Sequence, residues 1–469
     1  MTLPCLKFLV FLAAAALGWF LLPGRARQYW LLAASCAFYA LWQPAFALLL
    51  AFSTLATWFC ARSGKKWLNT AGVLWLFGVL FVYKYLHFVL NDLLGLERAF
   101  TLVQPVGISF YSFAAAGYLF DVRRGKIAAE RNLADLALFL FFFPTLLSGP
   151  INRAGDFLPQ LKSPPRFAWS ALRRGLLRFA AGAAKKLVLA DLLGLLVNAA
   201  YADVYASSGG MLLAAAVAYS LQIYFDFAGY TDMALGAAEI LGLRCAENFD
   251  APYLTRSVRG FWRSWHQSLT GWFRDYLYFP LGGSRGGRLR AWRNTMIVFA
   301  VSGVWHGAGW SFLCWGLLNG AYQVACQLTA PLRARLRDAL HIRESGRLYA
   351  LWQGLFTFGL ITAAWVLFRL PSVGEAVFVW KRVALILRDG FGAQSLFTLL
   401  GRRQLCVIAF TLAIFSVGDI LRRCRRLPDA ADIPAFVYWP LLALLAALIA
   451  VFGVYGAGFD AQSFVYFQF

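Results

Sequence analysis

Only four histidines occur in this 469-residue chain, and two of them follow a tryptophan: Trp265-His266 and Trp305-His306. Histidine is the side chain whose ordinary pKa lets it take up and release a proton near neutrality. A neutral imidazole within hydrogen-bond reach of a hydroxyl can remove its proton as the oxygen attacks an acyl carbon. Two imidazoles in one cavity resist double protonation, which helps keep a base neutral. Forty residues separate His266 from His306, room for a short helix, a loop and a second helix. Both can therefore converge on one cavity. On periodicity alone, each also fits a hydrogen-bonded histidine that merely packs helices together.

A second polar cluster, Asp226-Phe227-Ala228-Gly229-Tyr230-Thr231-Asp232, interrupts the apolar run 211–242. Carboxylates six residues apart do not share a helical face. A helix broken at Gly229 would bring both to a polar cavity, whereas the plainer expectation pairs them with Arg259, Arg263 or Arg274. Lys185-Lys186 reads as a cytoplasmic boundary, Lys84 and His87 as interfacial anchors, and His341 as a solvated loop residue. No nucleophile elbow, P-loop, dinucleotide fingerprint or metal-ligand spacing is present. The eight cysteines are scattered without a CxxC, which indicates neither a disulfide framework nor a metal site.

The elements that must position these groups are membrane helices. The chain is 61% hydrophobic and 14% charged, with a mean hydropathy of +0.62, whereas a soluble domain is about one quarter charged. Apolar runs of bilayer-spanning length recur at about 4–22, 29–60, 70–90, 102–120, 133–149, 171–200, 211–242, 294–330, 350–370, 404–421 and 436–456. The second run divides at Gln43-Pro44 and the 294–330 run near Gly307-Ala308-Gly309, giving roughly ten to thirteen membrane segments. Met1 to Leu22 reads as a retained first transmembrane helix. The net charge of +22 falls mostly in short loops between apolar runs, which is a topological bias rather than nucleic-acid binding. The expectation is an all-α polytopic membrane protein, one domain over 1–469 with its core motifs at 105–330.

The stretch 258–280 breaks this pattern. With helical spacing, Val258, Trp262, Trp265, Leu269, Trp272 and Tyr276 form an apolar face, opposite a polar stripe of Arg259, Arg263, Gln267 and Arg274. Three arginines and an aspartate are expensive against lipid. The expectation is an amphipathic or re-entrant helix in the interface or dipping into a protein-lined cavity, ended by Pro280.

The runs NFDAPY (248–253), FWRSWHQSL (261–269) and WFRDYLYFPLGG (272–283) resemble the membrane-bound O-acyltransferase family, and Val304 to Trp310 resembles the segment that holds its active-site histidine. Further matches are PVGISFYSF (105–113), DVRRGK (121–126), FFPTLLSGPINRAGDFLPQL (142–161), DFAGYTDMALG (226–236) and WVLFR (365–369). The Pro-Leu-Gly-Gly turn at 280–283 and FVYFQF at 464–469 resemble the alginate O-acetyltransferase-like branch. That resemblance implies a multi-helix fold with a tunnel across the membrane and His306 as general base. His266 would orient donor or acceptor, and Trp262, Trp265, Trp305, Arg274 and Asp275 would build the pocket, with Asp226 and Asp232 shaping it. It implies no tightly bound cofactor or metal, and acetyl-CoA as the acyl donor substrate on the cytoplasmic side of the cell (inner) membrane. It also implies a polysaccharide acceptor and an extracytoplasmic acetyltransferase partner. D-alanyl transfer to a cell-wall polymer is an alternative acyl chemistry. A transporter or flippase for a lipid-linked sugar fits the composition equally, although the paired inverted repeats common in transporters are not found. A non-enzymatic secretion scaffold would leave both histidines dispensable.

Overall fold

A computed structural model of the chain describes residues 3–96, 102–389 and 401–454, and every regular element among these residues is helical. Six described helices are long and apolar enough to cross a membrane: Pro44–Arg62, Lys66–Lys84, Gly209–Ile240, Arg347–Arg369, Arg402–Arg423 and Ala435–Phe452. Their outer faces carry exposed large apolar side chains such as Leu48, Leu74, Leu351, Phe410 and Leu444. Such faces suit hydrocarbon, where helices satisfy their own backbone groups. The fold is the expected all-α membrane architecture. FVYFQF at 464–469 lies outside the described residues.

Both expected breaks occur. Ala26–Ala40 and Pro44–Arg62 are separate helices, as are Arg288–His306 and Trp310–Leu328. Pro44 opens its helix, where its missing N–H costs nothing because first-turn N–H groups have no helical acceptor. Met1 to Leu22 contains the helix Leu6–Leu21, anchored to the interior by Trp19 Nε1 donating to the Leu241 carbonyl at 2.9 Å.

The interior is organised by the 32-residue helix Gly209–Ile240, which at about 1.5 Å per residue is longer than the hydrocarbon is thick. It lies against Trp169–Ala184 along a seam of glycines. A Cβ added to Gly175 or Gly236 would stand 2.7 Å from the other's carbonyl oxygen, and Gly182 and Gly229 oppose each other at 2.6 and 2.7 Å. Without side chains at these four positions, the backbones meet, as helices packing in lipid prefer. Gly229 thus serves close packing and does not break the helix: the expected break is absent.

That close approach sets the fate of the buried charges. Beyond Ala184 the helix widens into a π-turn, Lys185–Ala190, and both lysines point into the bundle. Lys185 pairs with Asp232 at 2.7 Å, and Arg178 reaches the same carboxylate at 2.9 Å. Lys186 pairs with Asp226 and Asp191, each at 2.7 Å. Asp226 and Asp232 therefore pair with these three cations and not with Arg259, Arg263 or Arg274. Lys185-Lys186 is a buried ion-pair site. Burying a charge is tolerable only when it is paired, and no local signal marks which cation the glycine seam brings near.

The segment 258–280 is not one helix. Val258–Ser264 is capped by the Ser257 hydroxyl, which accepts from the Gly260 amide. Trp265 is extended and His266 left-handed at φ 43° and ψ 54°. Gln267–Phe273 then begins, followed by a π-turn at Arg274–Tyr278. A left-handed non-glycine residue costs of order 1–3 kcal/mol and needs surroundings that enforce it. The segment 248–250 supplies them: the Asp250 amide donates to the Ser264 carbonyl at 3.0 Å and the Gln267 amide to the Asn248 carbonyl at 2.9 Å. Backbone groups released by the break are thus satisfied.

Candidate active site

His306 is the last residue of Arg288–His306, which packs closely on Trp310–Leu328. A Cβ at Gly303 would lie 2.3 Å from the Phe312 carbonyl oxygen, so the two helices touch one turn before the imidazole. The ring is buried and walled by aromatic edges: centroids lie 4.7 Å from Trp305, 5.1 Å from Trp315 and 5.1 Å from Phe368. Such walls hold an imidazole's orientation while supplying few polar groups.

His266 sits at the chain break, as the left-handed residue between the two short helices. Its Nδ1 lies 3.2 Å from Asn248 Oδ1. The same oxygen accepts from the Ser268 hydroxyl at 2.6 Å, and Asn248 Nδ2 donates to Thr231 Oγ1 at 3.3 Å. With Oδ1 as acceptor, Nδ1 carries the imidazole hydrogen and Nε2 holds the lone pair. Phe227 packs edge-on to the ring at 4.7 Å, and Trp305 lies 6.2 Å away, in contact range of both imidazoles.

Both histidines line one cavity of about 360 Å³. Its outer part carries the exposed Arg259, Arg263 and Arg274, its walls include Ser302, Gln323 and Gln327, and the buried histidines stand deeper. Of the polar stripe expected on 258–280, the three arginines line this cavity and Gln267 does not. A cationic mouth leading to paired imidazoles can draw in an anionic molecule and expose its far end to a base.

The other expected pocket residues divide. Trp262 lines the cavity and donates from Nε1 to Asn319 Oδ1 at 3.2 Å. Trp265 also lines it, held against Trp365 at 5.1 Å. Trp305 instead backs the histidines and faces a second, apolar cavity of about 500 Å³ bounded by Phe77, Phe88 and Trp310. Asp275 is an anchor, bound to Arg153 at 3.1 Å and to Arg274 at 2.9 Å, and so steadies one arginine of the mouth. Asp226 and Asp232 are not among the residues lining the histidine cavity; they belong to the buried ion pairs. No three His, Cys, Asp or Glu side chains converge on a metal-sized site among the described residues. Sequence reasoning missed Asn248, Trp315 and Phe368. Asn248 carried a sequence signal, because it opens the run NFDAPY (248–253) that precedes His266.

The sequence model of the membrane-bound O-acyltransferase family matches residues 126–372, a stretch that contains both histidines and the cavity mouth. The chain is 33% identical to a probable alginate O-acetylase, AlgI, of Pseudomonas putida over 98% of this chain and 99% of that protein. It is 32% identical to a protein of the same name in Azotobacter vinelandii over 96% of each chain. A peptidoglycan O-acetyltransferase of Helicobacter pylori is 31% identical over 79% of this chain and 77% of its own. With two buried histidines in a polar cavity among membrane helices and relatives that match it nearly end to end, the chain belongs to the membrane-bound O-acyltransferase family.

Proposed function

We propose that this acyltransferase moves an acetyl group from acetyl-CoA, taken up on the cytoplasmic side of the cell membrane, to a hydroxyl destined for an extracytoplasmic polysaccharide. The observation that carries this reading is the single cavity with an arginine mouth and two buried histidines. Coenzyme A is polyanionic and cannot cross about 30 Å of hydrocarbon. Arg259, Arg263 and Arg274 suit its phosphates, Arg especially through bidentate contacts. The thioester end would then reach the histidines. Relatives named for alginate and peptidoglycan O-acetylation support a glycan acceptor.

In the transfer, His306 takes the proton from the acceptor hydroxyl as its oxygen attacks the thioester carbon. The new C–O bond forms, the C–S bond breaks, and the proton passes to the departing sulfur, leaving an acetyl ester and the CoA thiol. His266, its Nδ1 hydrogen held by Asn248, orients donor or acceptor through Nε2. An extracytoplasmic acetyltransferase completes delivery to the polymer.

The test is expression of wild type, His306→Ala and His266→Ala with the host's acetylation machinery, reading polymer-bound acetate at matched membrane abundance. Loss of acetate in His306→Ala with polymer export continuing supports the reading. Loss of export itself favours a transporter. Wild-type acetate in His306→Ala refutes the assigned chemistry.

A further inference from the structure

A helix leaves its last four carbonyls without helical donors, and helices commonly close them with a left-handed residue just past the end. The helix that ends at His306 lacks this closure, because Gly307 is extended at φ −163° and ψ 153°. Donors arrive instead from a distant part of the chain. Lys84 Nζ donates to the Trp305 carbonyl at 2.6 Å, and the Tyr85 hydroxyl donates to the Val304 carbonyl at 2.9 Å. The Lys84 ammonium also lies 5.6 Å from the centre of the Trp305 ring. Three contacts thus fix the two residues immediately before His306. Lys84 closes the helix Lys66–Lys84, where sequence alone suggested an interfacial anchor. Both residues lie outside the stretch matched by the family model, 126–372.

We infer that Lys84 and Tyr85 are positioning residues, a two-donor clamp on the open end of the His306 helix that sets where the imidazole stands in the cavity. Neither lines the cavity shared by the histidines, so neither meets a substrate there. Their effect passes through His306. The inference rests on the acetyl-transfer reading above. Displacing a catalytic group by about 1 Å can cost on the order of 100-fold in rate, and releasing the end of the helix that carries the buried His306 allows such a shift.

The experiment uses membrane vesicles holding the complete acetylation system, with labelled acetyl-CoA and variants at matched abundance. Lys84→Met is expected to lower kcat about 10- to 100-fold while KM for acetyl-CoA stays within about twofold. Lys84→Arg, which keeps a cationic donor, should recover most of the rate, and Tyr85→Phe should lose less than Lys84→Met. If Lys84→Met does not accumulate in the membrane, Tyr85→Phe alone carries the test through the same kcat-against-KM split. Wild-type kcat in Lys84→Met, a rise in KM in place of a fall in kcat, or no recovery in Lys84→Arg overturns the clamp. His306→Ala in the same vesicles separates the two ideas. A wild-type rate there sinks the acetyl-transfer reading, whereas a dead His306→Ala beside a fully active Lys84→Met sinks only the clamp.

Discussion

Asn248 ties His266 to the core, and its removal should be felt in catalysis before it is felt in the fold. Its side chain is fully buried, accepts from Ser268 and His266, and donates to Thr231. Replacement by alanine removes the acceptor that selects the Nδ1–H form of the imidazole. The loss comprises a net hydrogen bond of about 0.5–1.5 kcal/mol and a penalty of about 1–3 kcal/mol for a buried donor left without a partner. If about 1.5–3 kcal/mol of this is felt in the transition state, at about 1.4 kcal/mol per decade the rate falls roughly 10- to 100-fold. Asn248→Asp keeps an acceptor for both Ser268 and His266 while losing the donor to Thr231, so it should retain more activity than Asn248→Ala. The assay is initial-rate acetyl transfer from labelled acetyl-CoA in membranes of matched protein content, with thermal melting of each detergent-extracted variant alongside. A full-rate Asn248→Ala would refute the claim that this amide orients His266. So would a loss of rate that tracks the loss of melting temperature alone.

Three further outcomes follow from the geometry. Arg259→Gln with Arg263→Gln should raise KM for acetyl-CoA about tenfold or more with little change in kcat, and added salt should narrow the difference from wild type; equal KM values would remove the donor from that mouth. Asp232→Asn leaves the buried Lys185 without its carboxylate, while the half-buried Arg178 keeps Glu247, and breaking a buried pair costs about 3–5 kcal/mol. Folded protein recovered from membranes should fall sharply, with partial restoration by adding Lys185→Met, and unchanged recovery would contradict the structural role. Gly182→Val drives a side chain into the Gly229 carbonyl, 2.6 Å from where its Cβ would stand, so melting should drop by several degrees, whereas Gly78→Val, which meets nothing nearby, should not lower it comparably.

The sequence displayed the membrane class, the helix breaks at Gln43-Pro44 and Gly307–Gly309, and the two histidines, because hydropathy, proline and rare titratable groups are local signals. It also displayed the basic stripe of Arg259, Arg263 and Arg274, which does line a cavity. What it hid was long-range. Nothing local says that Asp226 will meet Lys186 or that Lys84 will reach the end of a helix some 220 residues away. Regular periodicity over 258–280 concealed the break at His266, since the same apolar spacing fits one helix or two short ones. The left-handed residue became acceptable only because Asn248 and Asp250 supply hydrogen bonds from another strand of the chain. Trp305 illustrates the same limit. Its position beside His306 suggested a cavity wall, yet the ring turns to the apolar side.

The role proposed for His306 is that of the base in an acetyl transfer carried through this membrane protein. It is tested most directly in inside-out vesicles from a host with the full acetylation system, which present the cytoplasmic face to added labelled acetyl-CoA and enclose the polymer. Label should appear on the enclosed polymer with wild type and fall on the order of 100-fold or more with His306→Ala, the lower range of general acid–base contributions. Equal labelling by His306→Ala and wild type, at equal abundance, would contradict it.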